Sequence, residues 1–569
     1  MKEFEKIDTQ EKEEIMNEYY SWLFESNDLE IEKEFLPRLA HDYYDPYIYY
    51  PKFIIGEFFN TDVMLRLRRI SQLGVGIREK KECMQDRLEH SKGCFYNGLE
   101  EQIMLWMQND EYKKYIEKNN LKVYLIAELI KKAAHDNGHM PLSHVVEVGV
   151  TNTRNYHEKI GKRNILENSQ IQCILAKSPG LQEAMEKVLN EDILNFSIHD
   201  EGNLDTDRQD FLYGDHLYYD GEFLDIHLGM YERKFAHVDE NGNYEIQEDG
   251  SVRMASKNDK GISIIDVYPY EELKNVEDML QERIRAYREG HFSEKRQVED
   301  RIPEVILKEI LDTKDKNAKR LIDYLEMIKN SPVDEIDLNK VNQMDEIVFY
   351  LDLINIAENT DDEYLKALIP MSIPNFQNFM HMIYRYLNLH DQKSAESFTK
   401  EQKDIIKKIK NLIHSDTELA KKLKNPNYET ENLLVVTGRE RIEEVERNLD
   451  ERTLKAMHKS KSVVKGYNIN EPIYVFDEKG RVFSLDKHPE RRYNYEELKF
   501  PIEVAFYLIP ELQKNGFSDE EIKRIKEAFG EQKNVEKSKP TKFSMSPTRV
   551  DTKMEDIFES IEERWNLTK

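Results

Sequence analysis

The sequence predicts a mainly α-helical protein: a helical catalytic core with a small β-meander inserted, followed by an α+β accessory region. Three observations carry this. Lys, Glu, Leu and Ile segments dominate while glycine is sparse, 22 of 569 residues. Apolar residues recur at i, i+3, i+4 and i+7 over long stretches, the spacing of one helix face. Strict alternation is confined to short windows bounded by turn residues.

Taken in order, residues 1–50 form a helical, acidic lead-in that ends in the aromatic run DYYDPYIYYP. Residues 51–330 form the expected catalytic domain. Within it Val123, Ile126, Ala127, Ile130, Ala133 and Ala134 make one apolar stripe that stops at His135. Gly138 and Pro141 then end the helix, because neither residue supports its continuation. Across about 231–256 the period changes to alternation, with turns at Asn241-Gly242 and Asp249-Gly250, the pattern of a β-meander. Residues 331–530 are the α+β accessory or regulatory region, helical to about 425 with a break near Pro370 and Pro374. Its strands are NLLVVTG (432–438) and a hairpin over Asp477–Gly480. Residues 531–569 read as linker with a short amphipathic helix at 554–566.

Composition narrows the function. A length of 569 residues calls for more than one core. The net charge of −28 opposes non-specific contact with nucleic acid or an anionic membrane. A phosphorylated small molecule is still compatible, if arginines and a metal reverse the sign locally. No stretch reaches the roughly 18–20 apolar residues of a membrane span, and the N-terminus lacks the apolar segment of a signal peptide. Cys83, Cys94 and Cys173 give neither a disulfide framework nor a metal-type spacing. A cytoplasmic location is expected.

The chemistry-bearing stretch is AAHDNGHMPLSH, residues 133–144. His135 and Asp136 at a helix end offer an imidazole and a carboxylate to a divalent ion such as Mg²⁺, Mn²⁺, Fe²⁺ or Zn²⁺. His135 and His139 have the spacing of a helical zinc pair. The intervening Gly138 and the missing glutamate argue against a zinc protease. Two ligands are too few, and two other blocks supply candidates. RLEHSKG places His90 one turn after Arg87, and DTDRQDFLYGD carries Asp205, Asp207, Asp210 and Asp215. A second His-Asp pair, His199-Asp200, has no such partner blocks and reads as a cap or surface pair.

The order RLRRISQLG (66–74), RLEHSKG (87–93), HDNGHMPLSH (135–144) and DTDRQDFLYGD (205–215) resembles the HD-domain phosphohydrolases. The resemblance is greatest to their deoxynucleoside triphosphate triphosphohydrolase branch, the dGTPase-like and sterile-alpha-motif/HD dNTPases. It implies four metal ligands, His90, His135, Asp136 and Asp207. It places Arg87 and Arg208 at phosphates and Gln72 and Asp215 at the sugar 3′-hydroxyl. His139, His144 and His157 fall at active-site positions, with His144 and His157 as the two candidates for general acid. RIRAYREGH (283–291) resembles a later segment and suggests Arg283 near phosphates and Tyr287 or His291 near the sugar. The chain departs from the family where its Asp-Tyr is Asp210-Phe211 and its Arg-Asp is Gly214-Asp215, losing a hydroxyl and a positive charge. Asn137 also replaces the usual aliphatic residue.

The reaction implied is water attack on the α-phosphorus of a dNTP, releasing deoxynucleoside and inorganic triphosphate. Such an enzyme lowers dNTP pools, for housekeeping or to restrict phage. The branch also implies a homo-oligomer with a nucleotide effector at subunit contacts. Two alternatives stand beside it. One is another HD activity, a deoxynucleotide phosphomonoesterase or a cyclic or signalling-nucleotide phosphodiesterase. The other is a nucleotide sensor that binds without turnover.

Overall fold

A computed structural model describes residues 9–36, 47–74, 85–108, 110–153, 155–190, 205–220, 232–256, 261–291, 293–374, 407–408, 411–412, 414–425, 427–465, 467–468, 472–495 and 499–530. Helices dominate, with three small sheets of two, four and three strands among these residues. The mainly α class read from the sequence is what the structure has.

The first core is built from the N-terminal helices. Helix α1 (Thr9–Phe24) turns Met16, Tyr19, Tyr20 and Leu23 inward. Strands β1 (Ile31–Phe35) and β2 (Tyr47–Pro51) pair antiparallel, with Lys33 opposite Tyr49. Helices α2 (Arg87–Gln108) and α3 (Lys122–Ala134) pack against each other. On α3, Ile126, Ala127, Ile130, Ala133 and Ala134 are buried as the stripe requires, joined by Leu125 and Leu129. Removing side chains of this size from water stabilises by about 1.5–3 kcal/mol each.

A second core begins directly after α3. Met140, Leu142, Val145 and Val146 belong to it, together with residues from α4 (His144–Thr151) and α5 (Tyr156–Glu167). The 135–144 turn therefore joins two separately packed cores. Helix α6 (Leu181–Leu189) returns to the first core. Helix α7 (Thr206–Asp220) packs on α2.

Strands β3 (Glu232–His237) and β4 (Ile262–Tyr268) follow, then α8 (Leu273–Arg285), α9 (Glu294–Thr313), α10 (Lys319–Asn330), α11 (Glu346–Asn359) and α12 (Glu363–Ser372). The last four supply most of the second core. The helix break expected near Pro370 and Pro374 is there. Pro370 sits buried inside α12, which ends two residues later, ahead of Pro374. A proline past the first turn removes one amide donor and crowds the carbonyl four residues back, and Ile373, ahead of Pro374, is extended, so the helix stops here.

The C-terminal elements include β5 (Leu433–Thr437), α13 (Arg439–Arg447), β6 (His458–Lys465), β7 (Tyr474–Phe476), β8 (Val482–Ser484), β9 (Lys499–Leu508) and α14 (Asp519–Phe529). The hairpin expected over Asp477–Gly480 is β7–β8, with Tyr474 opposite Ser484. The Asp477 carboxylate closes its turn by accepting the Lys479 and Arg481 amides at 2.9 and 2.8 Å. This hairpin joins β3 and β4 in one four-stranded sheet, β7 pairing parallel with β4. Strands from either side of residue 330 thus share a sheet. Strands β5, β9 and β6 form a separate antiparallel sheet. The 554–566 segment and His199-Asp200 lie outside the described residues, and no described helix is long and apolar enough to cross a membrane.

Candidate metal centre

Three helices converge on the turn after α3. His135 caps the C-terminal end of α3, His90 lies on the first turn of α2, and Asp207 lies on the first turn of α7. The turn is held from both sides. The buried Arg66 guanidinium donates to the carbonyls of His139 and Asn137, at 2.7 and 3.4 Å, and to that of Met344. The buried Glu346 carboxylate accepts the amides of Ser71 and Leu142, at 3.0 and 3.1 Å. Leu142 and Ser143 have φ of 59° and 56°, a left-handed conformation that costs a non-glycine residue energy. Glu346, on the Leu142 amide, and Arg87, whose Nε donates to Ser143 Oγ, hold that conformation in place. Gly138 is required for a different reason: a Cβ there would stand 2.0 Å from the His157 carbonyl, so only glycine lets α5 approach the turn.

The four resemblance-implied ligands come together. His90 Nε2 and His135 Nε2 face each other at 3.2 Å. Asp136 Oδ2 lies 3.4 Å from each, and Asp207 Oδ1 lies 3.0 Å from the first and 3.6 Å from the second. Bonds of about 2.0–2.2 Å to one divalent ion place neighbouring ligand atoms ~3.0–3.5 Å apart. The spacing fits one ion.

Each histidine is also anchored behind. His90 Nδ1 bonds to Asp210 Oδ2 at 2.6 Å, and His135 Nδ1 bonds to the Lys132 carbonyl at 2.8 Å. Both anchors fix the ring with Nε2 turned inward, as in metal-ligating histidines generally. Electrostatics agree. Burial would lower the His90 pKa, but Cys94, Asp207 and Asp210 raise it well above the usual value. His135 is likewise raised, against burial, by Asp136, Cys94 and Asp207. For Asp207, desolvation works against the charge, yet His135 and His90 hold its carboxyl well below the usual range. With both imidazoles neutral, Asp136, Asp207 and Asp210 outweigh Arg87, a charge balance that favours a bound cation. Cys94, one turn beyond His90, adds a buried thiol 3.7 Å from His90 Nε2.

Asp136 connects this centre to a second cluster. Its Oδ1 lies 3.0 Å from His139 Nε2. The His139 and His157 rings stack at 3.9 Å and 13°, and His144 meets both edge-on at 4.8 and 5.0 Å. One buried carboxylate, Glu147, binds Nδ1 of His144 and Nδ1 of His157, each at 3.1 Å. It also accepts the Tyr156 and His157 amides, the latter at 3.0 Å. Despite its burial these partners bring the Glu147 pKa down to about 2. Burial, Arg87 and His157 lower His139 well below its ordinary value, outweighing Asp136. His144 is lowered chiefly by burial, with Glu147 opposing the shift. Three histidines this close can bind a metal in principle. Parallel rings, however, send their in-plane lone pairs side by side rather than to one point, and this suits proton handling better.

The expected phosphate arginines are engaged elsewhere. Buried Arg87 binds the Asp136 carboxylate through Nη1, and its Nε donates to Ser143 Oγ at 3.0 Å. Arg208 Nη1 binds Asp205 Oδ2 at 2.7 Å, and the Arg208 amide binds the same carboxylate. Asp205 itself is pushed up to about 7, by burial and by neighbouring Asp207. Buried Arg283 sits 5.4 Å over the Tyr287 ring, which meets Phe211 of α7 at 5.9 Å. Gln72 lies opposite Gln85, its amide donating to the Gln85 carbonyl at 2.8 Å, while Ile70 lies opposite Arg87. The side chains of Asp215 and His291 lie outside the described residues.

Sequence reasoning gave no role to Asp210, Glu147, Ser143 or Cys94. Spacing was the available signal: Asp210 follows Asp207 by three, Glu147 follows His144 by three, and Cys94 follows His90 by four, all helical neighbours.

Comparison with known proteins bears on the fold. No family model matches the chain. An uncharacterized MG461 homolog of Mycoplasma pneumoniae is 23% identical over 382 residues, 62% of this chain and 81% of that protein. The uncharacterized YwfO of Bacillus subtilis is 28% identical over 180 residues, 31% of this chain and 38% of its own length. A solved phosphohydrolase from Bacteroides thetaiotaomicron superposes with a TM-score of 0.51 at 16% identity, covering 84% of this chain and 99% of that one. The chain shares the fold of that phosphohydrolase.

Proposed function

We propose that the protein is a divalent-metal-dependent phosphohydrolase that cleaves deoxynucleoside triphosphates to deoxynucleoside and inorganic triphosphate. The observation that carries this reading is the convergence of His90, His135, Asp136 and Asp207 within 3.0–3.6 Å, beside an independent histidine cluster. A bound divalent ion supplies an acidified water, its pKa brought from 15.7 towards about 7, and a Lewis acid for the phosphoryl oxygen.

The chain's own residues do the rest. Asp210 and the Lys132 carbonyl hold the two imidazoles with Nε2 inward. Glu147 holds Nδ1 of His144 and His157, leaving Nε2 of each to exchange a proton with the departing oxygen. His144 is the more exposed of the two, its side chain 51% accessible against 10%, which suits it to meet substrate and solvent. Arg87 fixes Asp136 and places positive charge beside the site. The dNTP pool, an oligomer and a nucleotide effector follow from the resemblance and belong to this reading.

A second reading is favoured by one observation. Arg208 is paired with Asp205, and residues 211 and 214 supply neither hydroxyl nor charge, so the grip on a triphosphate is thin. A phosphomonoester or phosphodiester would need less. One assay separates the readings: purified protein with each dNTP, singly and mixed, plus Mg²⁺ or Mn²⁺, products resolved by chromatography, Asp207→Asn as control. Deoxynucleoside with triphosphate is the expected result. Orthophosphate or a nucleoside monophosphate would replace it with the second reading, and binding without turnover would indicate a sensor.

A further inference from the structure

Two residues before Arg87 stands a buried amide. Gln85 is fully buried, and neither its Oε1 nor its Nε2 has a hydrogen-bond partner among the described residues. Leaving both ends of a buried amide unpaired is costly, and native proteins rarely tolerate it without a reason. The backbone fixes where this amide stands. Ser71 bridges Asp86, and the Gln72 amide donates to the Gln85 carbonyl at 2.8 Å. Gln72 and Gln85 are thus cross-strand neighbours, whose side chains share a face at ~5 Å. Gln72 Oε1 is also buried and has no partner among the described residues.

Helix α7 makes room for the amide. A Cβ on Gly214 would stand 2.6 Å from Gln85 Oε1 and 2.9 Å from its Nε2, so any larger residue there displaces it. Gly214 follows Asp207 by seven residues on the same helical face, about 10 Å along the axis. Asp207 faces the metal ligands and Asp210 anchors His90, so Gln85 lies further along the same wall. Phe211, on the same helix one turn before Gly214, pairs with Tyr287. A neutral amide adds little to phosphate binding. A free donor beside a free acceptor complements a hydroxyl, or the donor and acceptor edge of a base.

We propose that Gln85 is a specificity-determining contact to the nucleoside portion of the substrate, its free amide reading a sugar hydroxyl or a base edge alongside Gln72. The inference rests on the nucleotide reading given above.

The test compares wild type with Gln85→Leu and Gly214→Ala on the four dNTPs, which report a base edge, and on a 2′,3′-dideoxy analogue, which reports the sugar hydroxyl. Bound metal and thermal midpoint are measured alongside. Wild type should favour the preferred substrate in kcat/KM by at least about tenfold on one of these arms. In both variants that preference should collapse about tenfold, mainly through KM, at equal metal content. Gly214→Ala leaves the amide in the chain and only displaces it, so it decides the matter if Gln85→Leu fails to fold. Turnover of dNTPs with discrimination intact in the variants overturns the role of Gln85 alone. Absence of dNTP turnover in metal-loaded wild type overturns the nucleotide reading and this inference with it.

Discussion

The two histidine clusters meet at Asp136 and behave in opposite ways. His90 and His135 are driven towards holding a proton or a cation, whereas His139 and His144 are driven towards neutrality. His90 and His139 are both fully buried, so burial alone is not what separates the two clusters. The difference is the company each keeps. Asp136, Asp207 and Asp210 surround the first pair, while Arg87 and neighbouring imidazoles face the second. The arrangement teaches how one short segment provides two chemistries. Its first half is turned towards carboxylates contributed by α7, and its second half is turned away from them by the Gly138 turn.

The comparison can be broken in several places. The largest effect is expected at the shared residue. Asp136→Ala removes a ligand and strands the buried Arg87 guanidinium, so metal and turnover should be lost. Stability should fall by roughly 3 kcal/mol, read by denaturant unfolding. Asp210→Asn acts on the first cluster only, by releasing the His90 ring. Metal affinity should weaken about 10–100-fold in a competition titration, with the fold unchanged. Glu147→Gln acts on the second cluster only. Glu147 raises the His144 pKa, so its loss lowers that pKa further. If protonated His144 serves the reaction, kcat should drop about tenfold or more and the alkaline limb of the pH profile should move to lower pH. Metal content should not change, and an unmoved limb would remove His144 from proton transfer.

The smallest effect concerns stability in acid. The Glu147 pKa is about 2 when folded and 4.5 in its ordinary state, so its contribution is complete above about pH 4.5 and is lost as pH falls towards 2. Unfolding measured across that window should be less steep in pH for Glu147→Gln than for wild type.

Much of this was legible in the sequence, for identifiable reasons. The α3 stripe from Val123 to Ala134 and its end at His135 are local, set by periodicity and by Gly138 and Pro141. The hairpin at 474–484 is local too, set by its turn from Asp477 to Gly480. The pairing of that hairpin with β4 was not legible, because periodicity within a strand says nothing about a partner far along the chain. At the site, residue types in order sufficed to propose His90, His135, Asp136 and Asp207. The occupation of Arg87 by Asp136 and of Arg208 by Asp205 was not readable, since a resemblance names a position and not its hydrogen bonds. The end of α12 at Ser372 was legible for a local reason too, since Pro370 removes an amide donor and Ile373, ahead of Pro374, is held extended.

The central claim is that the first cluster binds the ion and the second handles protons. Metal analysis of the purified protein, combined with anomalous diffraction at the edge of the metal found, tests it most directly. One ion per chain is expected, with its anomalous peak within bonding distance of His90 Nε2, His135 Nε2, Asp136 and Asp207. A peak among His139, His144 and His157, or two ions per chain, would contradict the account.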